Sequence, residues 1–182
     1  NKILKMLPVA KQTLLFSATL NEKVDEIKKR LTINPVLIEV KAEEINLDNI
    51  EQLAYLVTPE AKGPFLRYLI KSNHFKQVLV FVSSSRTADN LTEKLNKNGI
   101  KAASMHGKKS QGSRYNALDD FKTGAIDVLI ATDLIARGIH IDDLPIVINY
   151  ELPRSPLDYV DRIGRTGRAN AIGKAISLIT PE

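Results

Sequence analysis

Near the end of the chain, Asp158-Tyr159-Val160-Asp161-Arg162-Ile163-Gly164-Arg165-Thr166-Gly167-Arg168 sets an arginine at every third position with glycines between. At helical spacing Arg162 and Arg165 share a face, and Arg168 lies just beyond. Like charges that close destabilise an isolated helix by roughly a few tenths of a kcal/mol per pair. The array therefore suits a surface that meets concentrated negative charge. Arginine fits that task because its planar fork of donors grips phosphate oxygens and stays charged. A solvated basic face, balanced by Asp158 and Asp161, is the plainer reading, but such a helix gains nothing from two glycines.

Charge elsewhere is segregated in the same sense. Between Glu93 and Asp119 there is no acid, while Lys94, Lys97, Lys101, Lys108, Lys109 and Arg114 fall there. Beyond Asp161 the only charged residues before Glu182 are basic. Two acid-free basic zones in a chain of net charge +5 suggest two polyanionic contacts, such as a nucleic-acid backbone and a nucleotide. The absence of cysteine excludes disulfides and thiolate metal sites, and His74, His106 and His140 are not paired at ligand spacing. No metal site is expected. No apolar run approaches the ~18 residues of a membrane span, so a soluble, cytoplasmic protein without membrane contact is expected.

The elements that must position these residues follow from alternating apolar runs and amphipathic stretches. Thr13–Phe16 and Val36–Val40 read as strands, flanking a helix capped by Asn21 and running to about Leu31. Lys41–Asn49 is polar and reads as a linker. From there the pattern regularises: strands at Gln52–Val57, Val78–Val82, Lys101–Ser104, Asp127–Ala131, Pro145–Asn149 and Lys174–Thr180. Helices are expected at Glu60–Ser72, Thr87–Asn98, Ser110–Phe121 and Pro156–Ile163, with Gly99 and Gly124 as stops. Val78–Val82 (VLVFV) is apolar throughout, as in a strand covered on both faces. The fold class is α/β, a mostly parallel sheet with helices on both faces. Ligands of such sheets gather at the carboxyl ends of strands. There lie Ser17-Ala18-Thr19, Ser83–Arg86, His106-Gly107 and Thr132-Asp133. No GxxxxGK[ST] phosphate loop occurs in the sequence, so the arginines look like half of a bipartite site.

Taken in order, Ser17-Ala18-Thr19, Val78–Arg86, His106-Gly107 with Gln111-x-x-Arg114, Ala131-Thr132-Asp133 through Ala136-Arg137-Gly138, and Arg162–Arg168 resemble the carboxyl-terminal half of a DEAD-box ATP-dependent RNA helicase of superfamily 2. The resemblance covers essentially the whole chain. Lys109–Gly112 and Asn149–Pro153 look most like the bacterial RhlE branch. The resemblance implies a RecA-like fold in which residues 1–42 are the incomplete tail of a first RecA-like domain, 43–50 a linker and 51–182 the second, helicase C-terminal domain.

It also implies roles. Arg165 and Arg168 match arginines that reach the γ-phosphate of ATP, Arg168 being the better arginine-finger candidate. Gly138 and His140 match nucleotide-side positions. Arg86, Gly107, Gln111, Arg114, Thr132 and Gly138 match the RNA-facing set, whose grip on phosphates and 2′-hydroxyls is sequence-independent. Ser17 and Thr19 match the motif that couples hydrolysis to strand separation. Arg162 is expected to pair with Asp133 inside the domain. Mg2+ would be held by the missing N-terminal domain and the nucleotide. Gly164 and Gly167 are expected to let two domains approach closely.

His140 and Asp161 depart from the family pattern. His140 stands where an aspartate usually bonds the ribose, and Asp161 where a histidine usually bonds the glutamine of Q-x-x-R. Asp161 is expected to accept from Gln111 in its place. The function implied is RNA-stimulated ATP hydrolysis and local duplex unwinding, with this fragment inactive by itself. A non-catalytic or degenerate RNA-binding module and a DNA-directed helicase are the alternatives. The apolar segment Thr13–Ala18 is expected to pack on the second domain or to pair with another molecule, by dimerisation or strand exchange.

Overall fold

The computed structural model describes residues 6–8, 10–17, 22–39, 47–136, 141, 143–167 and 172–181. The chain divides into two compact units, Asn1–Glu43 and Glu44–Glu182.

In the first unit, Glu22–Leu31 forms helix α1, with Glu22 and Asp25 in its first turn and Lys28, Lys29 and Arg30 in its last. That order complements the helix dipole at both ends. The expected cap, Asn21, lies outside the described residues. The strands expected at Thr13–Phe16 and Val36–Val40 are not formed in the described residues; Leu14 and Phe16 are 68% and 88% exposed. An apolar run becomes a strand only when a neighbour takes its backbone hydrogen bonds, and among the described residues no such ladder forms on these runs.

The second unit opens with a short 3₁₀ turn, Leu47–Asn49. There follow β1 (Ile50–Leu56), α2 (Pro59–Ser72), β2 (Val78–Phe81), α3 (Ser85–Lys97), β3 (Ala102–Met105), α4 (Gln111–Lys122), β4 (Val128–Ala131), α5 (Asp133–Ala136), β5 (Ile146–Asn149), α6 (Pro156–Ile163) and β6 (Gly173–Ile179). The strands form one sheet in the order β1-β6-β5-β2-β4-β3, and every pair is parallel.

Alternation along the strands explains both layers. Val78, Val80, Val128, Ile130 and Ile148 face one side, where Leu66, Leu69 and Ile70 of α2 and Ala88, Leu91 and Leu95 of α3 cover them. Leu79, Phe81, Leu129 and Val147 face the other side, under Ala117 and Phe121 of α4 and Ala136 of α5. Ile163 of α6 packs with Ile50 and Ala175 at the β1 end of the sheet. Strands β2, β4 and β5 are buried along their whole length, as a sheet covered on both faces requires. The fold is an α/β sheet, parallel throughout and covered by helices on both faces.

Helix boundaries have local causes. Ser84, Ser110 and Ser155 each accept a hydrogen bond from the backbone N–H three residues on, capping α3, α4 and α6. Gly99 and Gly124 follow α3 and α4 at φ +74° and +77°, a conformation that favours glycine.

Strand β3 is an edge, and the fold guards it. Lys101 O accepts from Val128 N–H and Met105 O from Thr132 N–H, so the peptide groups of Ala102 and Ser104 face outward. The Asn96 side chain occupies the Ala102 position as a neighbouring strand would: its Nδ2 donates to Ala102 O at 2.9 Å, and its Oδ1 accepts from Ala102 N–H at 3.0 Å. Open edges invite pairing with other chains. Asn96→Ala is expected to cost about 1–2 kcal/mol in chemical denaturation. It should also raise concentration-dependent self-association, read by light scattering against the unaltered chain; unchanged scattering would refute the guarding role.

Candidate functional site

Because all strands run the same way, the segments after β2, β3, β4 and β5 emerge at one edge of the sheet. Three of them line an open cleft of about 530 Å³: Ser83–Arg86 after β2, Gly107 and Lys108 after β3, and Thr132–Leu134 after β4. The structure thus brings together Arg86, Gly107, Thr132 and Asp133. Gln111 and Arg114, on the first turn of α4, are not among the cleft's lining residues; Gln111 is exposed and Arg114 half-buried. The lining also includes Leu134, which is 80% exposed. Lys108 is a lining residue that sequence reasoning placed only within a basic zone.

Beside the cleft lies a buried cation. Arg162, 2% exposed, comes from the last turn of α6. Its Nε and Nη2 donate to Asp133 Oδ1 and Oδ2 at 2.6 and 2.8 Å. Its Nη1 donates to Asn149 Oδ1 at 3.0 Å and to the Glu151 carbonyl at 2.6 Å. The guanidinium also stands over the Phe81 ring, 4.9 Å from its centroid. A charge taken from water needs this degree of pairing. Asn149, Glu151 and Phe81 received no role from sequence; the signal available was their place at the end of β5, just after it, and at the end of β2.

The segment after β5 is tied down on its other side. Ser83 N–H donates to the Glu151 carboxylate, and Lys62 Nζ donates to the Tyr150 carbonyl at 3.0 Å. Burial pushes the Lys62 ammonium below its ordinary pKa, against the opposing pull of Glu151.

The arginine array does not continue as a helix. Helix α6 stops at Ile163 with Gly164 as its C-cap, and Arg165 lies in the turn that follows, half-buried. Arg162 and Arg165 therefore do not share a helical face. The turn is fixed by tertiary pairing: Leu144 N–H donates to Arg165 O at 3.0 Å, and Thr166 Oγ1 donates to Leu144 O. Gly167 adopts φ +72°, and a Cβ there would meet Ile50 Cγ1 at 2.6 Å and Asn49 O at 2.9 Å. Its lack of a side chain is thus required within this unit, by a close approach to β1. Asp161 is half-buried on α6. Ser17 is exposed and belongs to the first unit. Thr19, Gly138, His140 and Arg168 lie outside the described residues.

His106 is buried, at 1% exposure. Its partner is a carboxylate that sequence reasoning did not single out: Asp89, whose Oδ1 lies 3.0 Å from His106 Nε2.

Residues 61–170 match the model of the helicase conserved C-terminal domain. The C-terminal domain of the DEAD-box protein Dbp5 superposes with a TM-score of 0.70 at 35% identity, covering 75% of this chain and 80% of that one. The chain belongs to the DEAD-box helicase C-terminal domain family. Among relatives of this helicase domain, a DEAD-box ATP-dependent RNA helicase CshA from Geobacillus kaustophilus is 41% identical over 98% of this chain and 38% of its own length. An ATP-dependent RNA helicase RhlB from Pseudomonas aeruginosa is 44% identical over 92% of this chain and 42% of its own. S. cerevisiae Dbp5 bound to RNA and ADP BeF3 aligns over 100% of this chain and 48% of that one, with a TM-score of 0.75 and 34% identity. The chain thus spans about two fifths of the length of the curated relatives it matches. Among the described residues no helix is long and apolar enough to cross a membrane, and no cluster of His, Cys, Asp or Glu could hold a metal ion.

Asp133→Ala in this helicase domain would leave Arg162 buried with half its partners. The expected loss is about 2–3 kcal/mol, at or below the low end for a broken buried pair because Asp133 is itself a third exposed. Gly167→Ala, which forces a side chain into the left-handed region against backbone, should cost about 1–3 kcal/mol. Urea denaturation checks both.

Proposed function

We propose that this chain is the carboxyl-terminal half of an ATP-dependent RNA helicase, binding RNA backbone and completing an ATP site for RNA-stimulated hydrolysis and local unwinding. The observation that carries the reading is the cleft that gathers Arg86, Gly107 and Thr132 beside Lys108. A guanidinium, an ammonium, a hydroxyl and an exposed backbone suit phosphates and ribose hydroxyls and offer no array for reading bases. Gln111, Arg114 and Gly138 extend this RNA-facing set. Binding is then sequence-independent and weakens steeply with salt.

On the nucleotide side, Arg165 and Arg168 bring positive charge to the γ-phosphate, with Gly138 and His140 toward the ribose. The chain's contribution is charge stabilisation; ATP, with Mg2+ held by the nucleotide and an N-terminal RecA-like domain, supplies the reacting phosphoryl group. Ser17 and Thr19 belong to the end of that first domain, for which residues 1–42 are the tail, 43–50 the linker and 51–182 the second domain. The exposed Leu14 and Phe16 support an apolar partner for that tail, either the N-terminal domain or a second copy. Asp161 accepts from Gln111 and links the RNA and ATP sides. Lys109–Gly112 and Asn149–Pro153 support the RhlE branch, and the cytoplasm is the proposed compartment.

The sequence holds no GxxxxGK[ST] loop, so the chain alone is expected to bind single-stranded RNA but not to turn over ATP. In a two-domain protein carrying this half, Arg168→Ala is expected to lower RNA-stimulated ATPase by about 10³-fold. Measured turnover by the chain alone, or an Arg168→Ala protein as active as its parent, would overturn the assignment.

A further inference from the structure

The cleft is made from loops on different strands, and a grip on a polyanion depends on the spacing between them. Asp89 lies on α3, in the turn after Arg86. Its Oδ1 is met by three donors from β3 and the loop beyond it: Ser104 Oγ at 2.7 Å, His106 Nε2 at 3.0 Å and Lys109 Nζ at 2.9 Å. Lys109 N–H also donates to the His106 carbonyl, closing the turn that displays Gly107 and Lys108. The imidazole is buried while Asp89 is about half exposed. His106 Nδ1 has no hydrogen-bond partner among the described residues, so the proton belongs on Nε2, directed at Asp89.

This cluster is not needed to attach β3 to α3. Ala88, Leu91 and Leu95 already pack with Ile100 and Ala102, and Asn96 is bonded to Ala102 on both sides. What Asp89 adds is a tie between the helix carrying Arg86 and the turn carrying Gly107 and Lys108, which line the same cleft. The tie is ionic: partial burial opposes ionisation, but hydrogen bonds from His106, Ser104 and Lys109 hold the carboxyl well below the usual carboxylate range.

We propose that Asp89 is a positioning residue for RNA, locking the 106–109 turn to α3 so that Arg86, Gly107 and Lys108 meet one stretch of backbone already in register. The inference rests on the RNA reading above. Preorganised contacts bind more tightly because less order is lost on binding.

Electrostatics alone predicts the opposite sign, and that separates positioning from charge. Removing a carboxylate beside an anion site should tighten RNA binding; removing a positioning group should weaken it. The test uses the full chain and a fluorescent single-stranded oligouridylate, comparing the unaltered protein with Asp89→Ala and Asp89→Asn. Hydrogen exchange is measured on the same proteins without RNA. The expected result is RNA affinity lowered about tenfold in Asp89→Ala and less in Asp89→Asn. Amide exchange across 106–109 should rise while β4 and β5 amides keep their protection. Equal or tighter RNA binding by Asp89→Ala overturns the proposal, as does unchanged exchange in the turn. If the unaltered chain fails to bind RNA, the RNA reading falls instead, and the exchange comparison still decides whether Asp89 locks the turn.

Discussion

The Arg162–Asp133 pair is the interaction on which the rest of the cleft side depends. One guanidinium, cut off from water, collects acceptors from the start of α5, the end of β5 and the segment after it. Burying such a charge is costly unless its hydrogen bonds are met, so these segments have little freedom to drift apart. The ion pair converts a solvation penalty into a geometric constraint.

From that constraint the neighbouring features follow. Glu151 gives its carbonyl to Arg162 and its carboxylate to Ser83 N–H, so the loop after β2 is referred to the same centre. Lys62 steadies Tyr150 from α2. Asp89 repeats the device on the β3 side, with one carboxylate tying a helix to a turn. The cleft is thus lined by exposed polar groups whose backbones are fixed from beneath by buried or half-buried charge.

The sheet itself was largely legible. Runs such as Val78–Val82 and Val128–Ala131 are apolar throughout, which in a short segment between turn residues means a strand covered on both faces. Glycine stops marked the ends of α3 and α4, because glycine answers a local backbone need there. Thr13–Phe16 and Val36–Val40 carry the same apolar signal, yet the described residues there form no strand. Composition sets the tendency to be a strand, but the ladder needs a neighbour. The short helix α5 after β4 was not read at all, since four residues leave no period to detect.

The site divides along the same line. Sequence by itself determined which chemical groups are available: the arginines of the 162–168 run, Arg86, and the glycines beside them. These are chemical identities, set residue by residue. Only the tertiary structure decided their stations, because burial and partnership depend on segments far apart in the chain. It put Arg165 in a turn beyond the helix, and gave Gly167 a reason in its contact with Ile50 and Asn49, whereas the pairing of Arg162 with Asp133 was already expected. It also buried His106 against Asp89, a pairing across 17 residues that no local pattern signals.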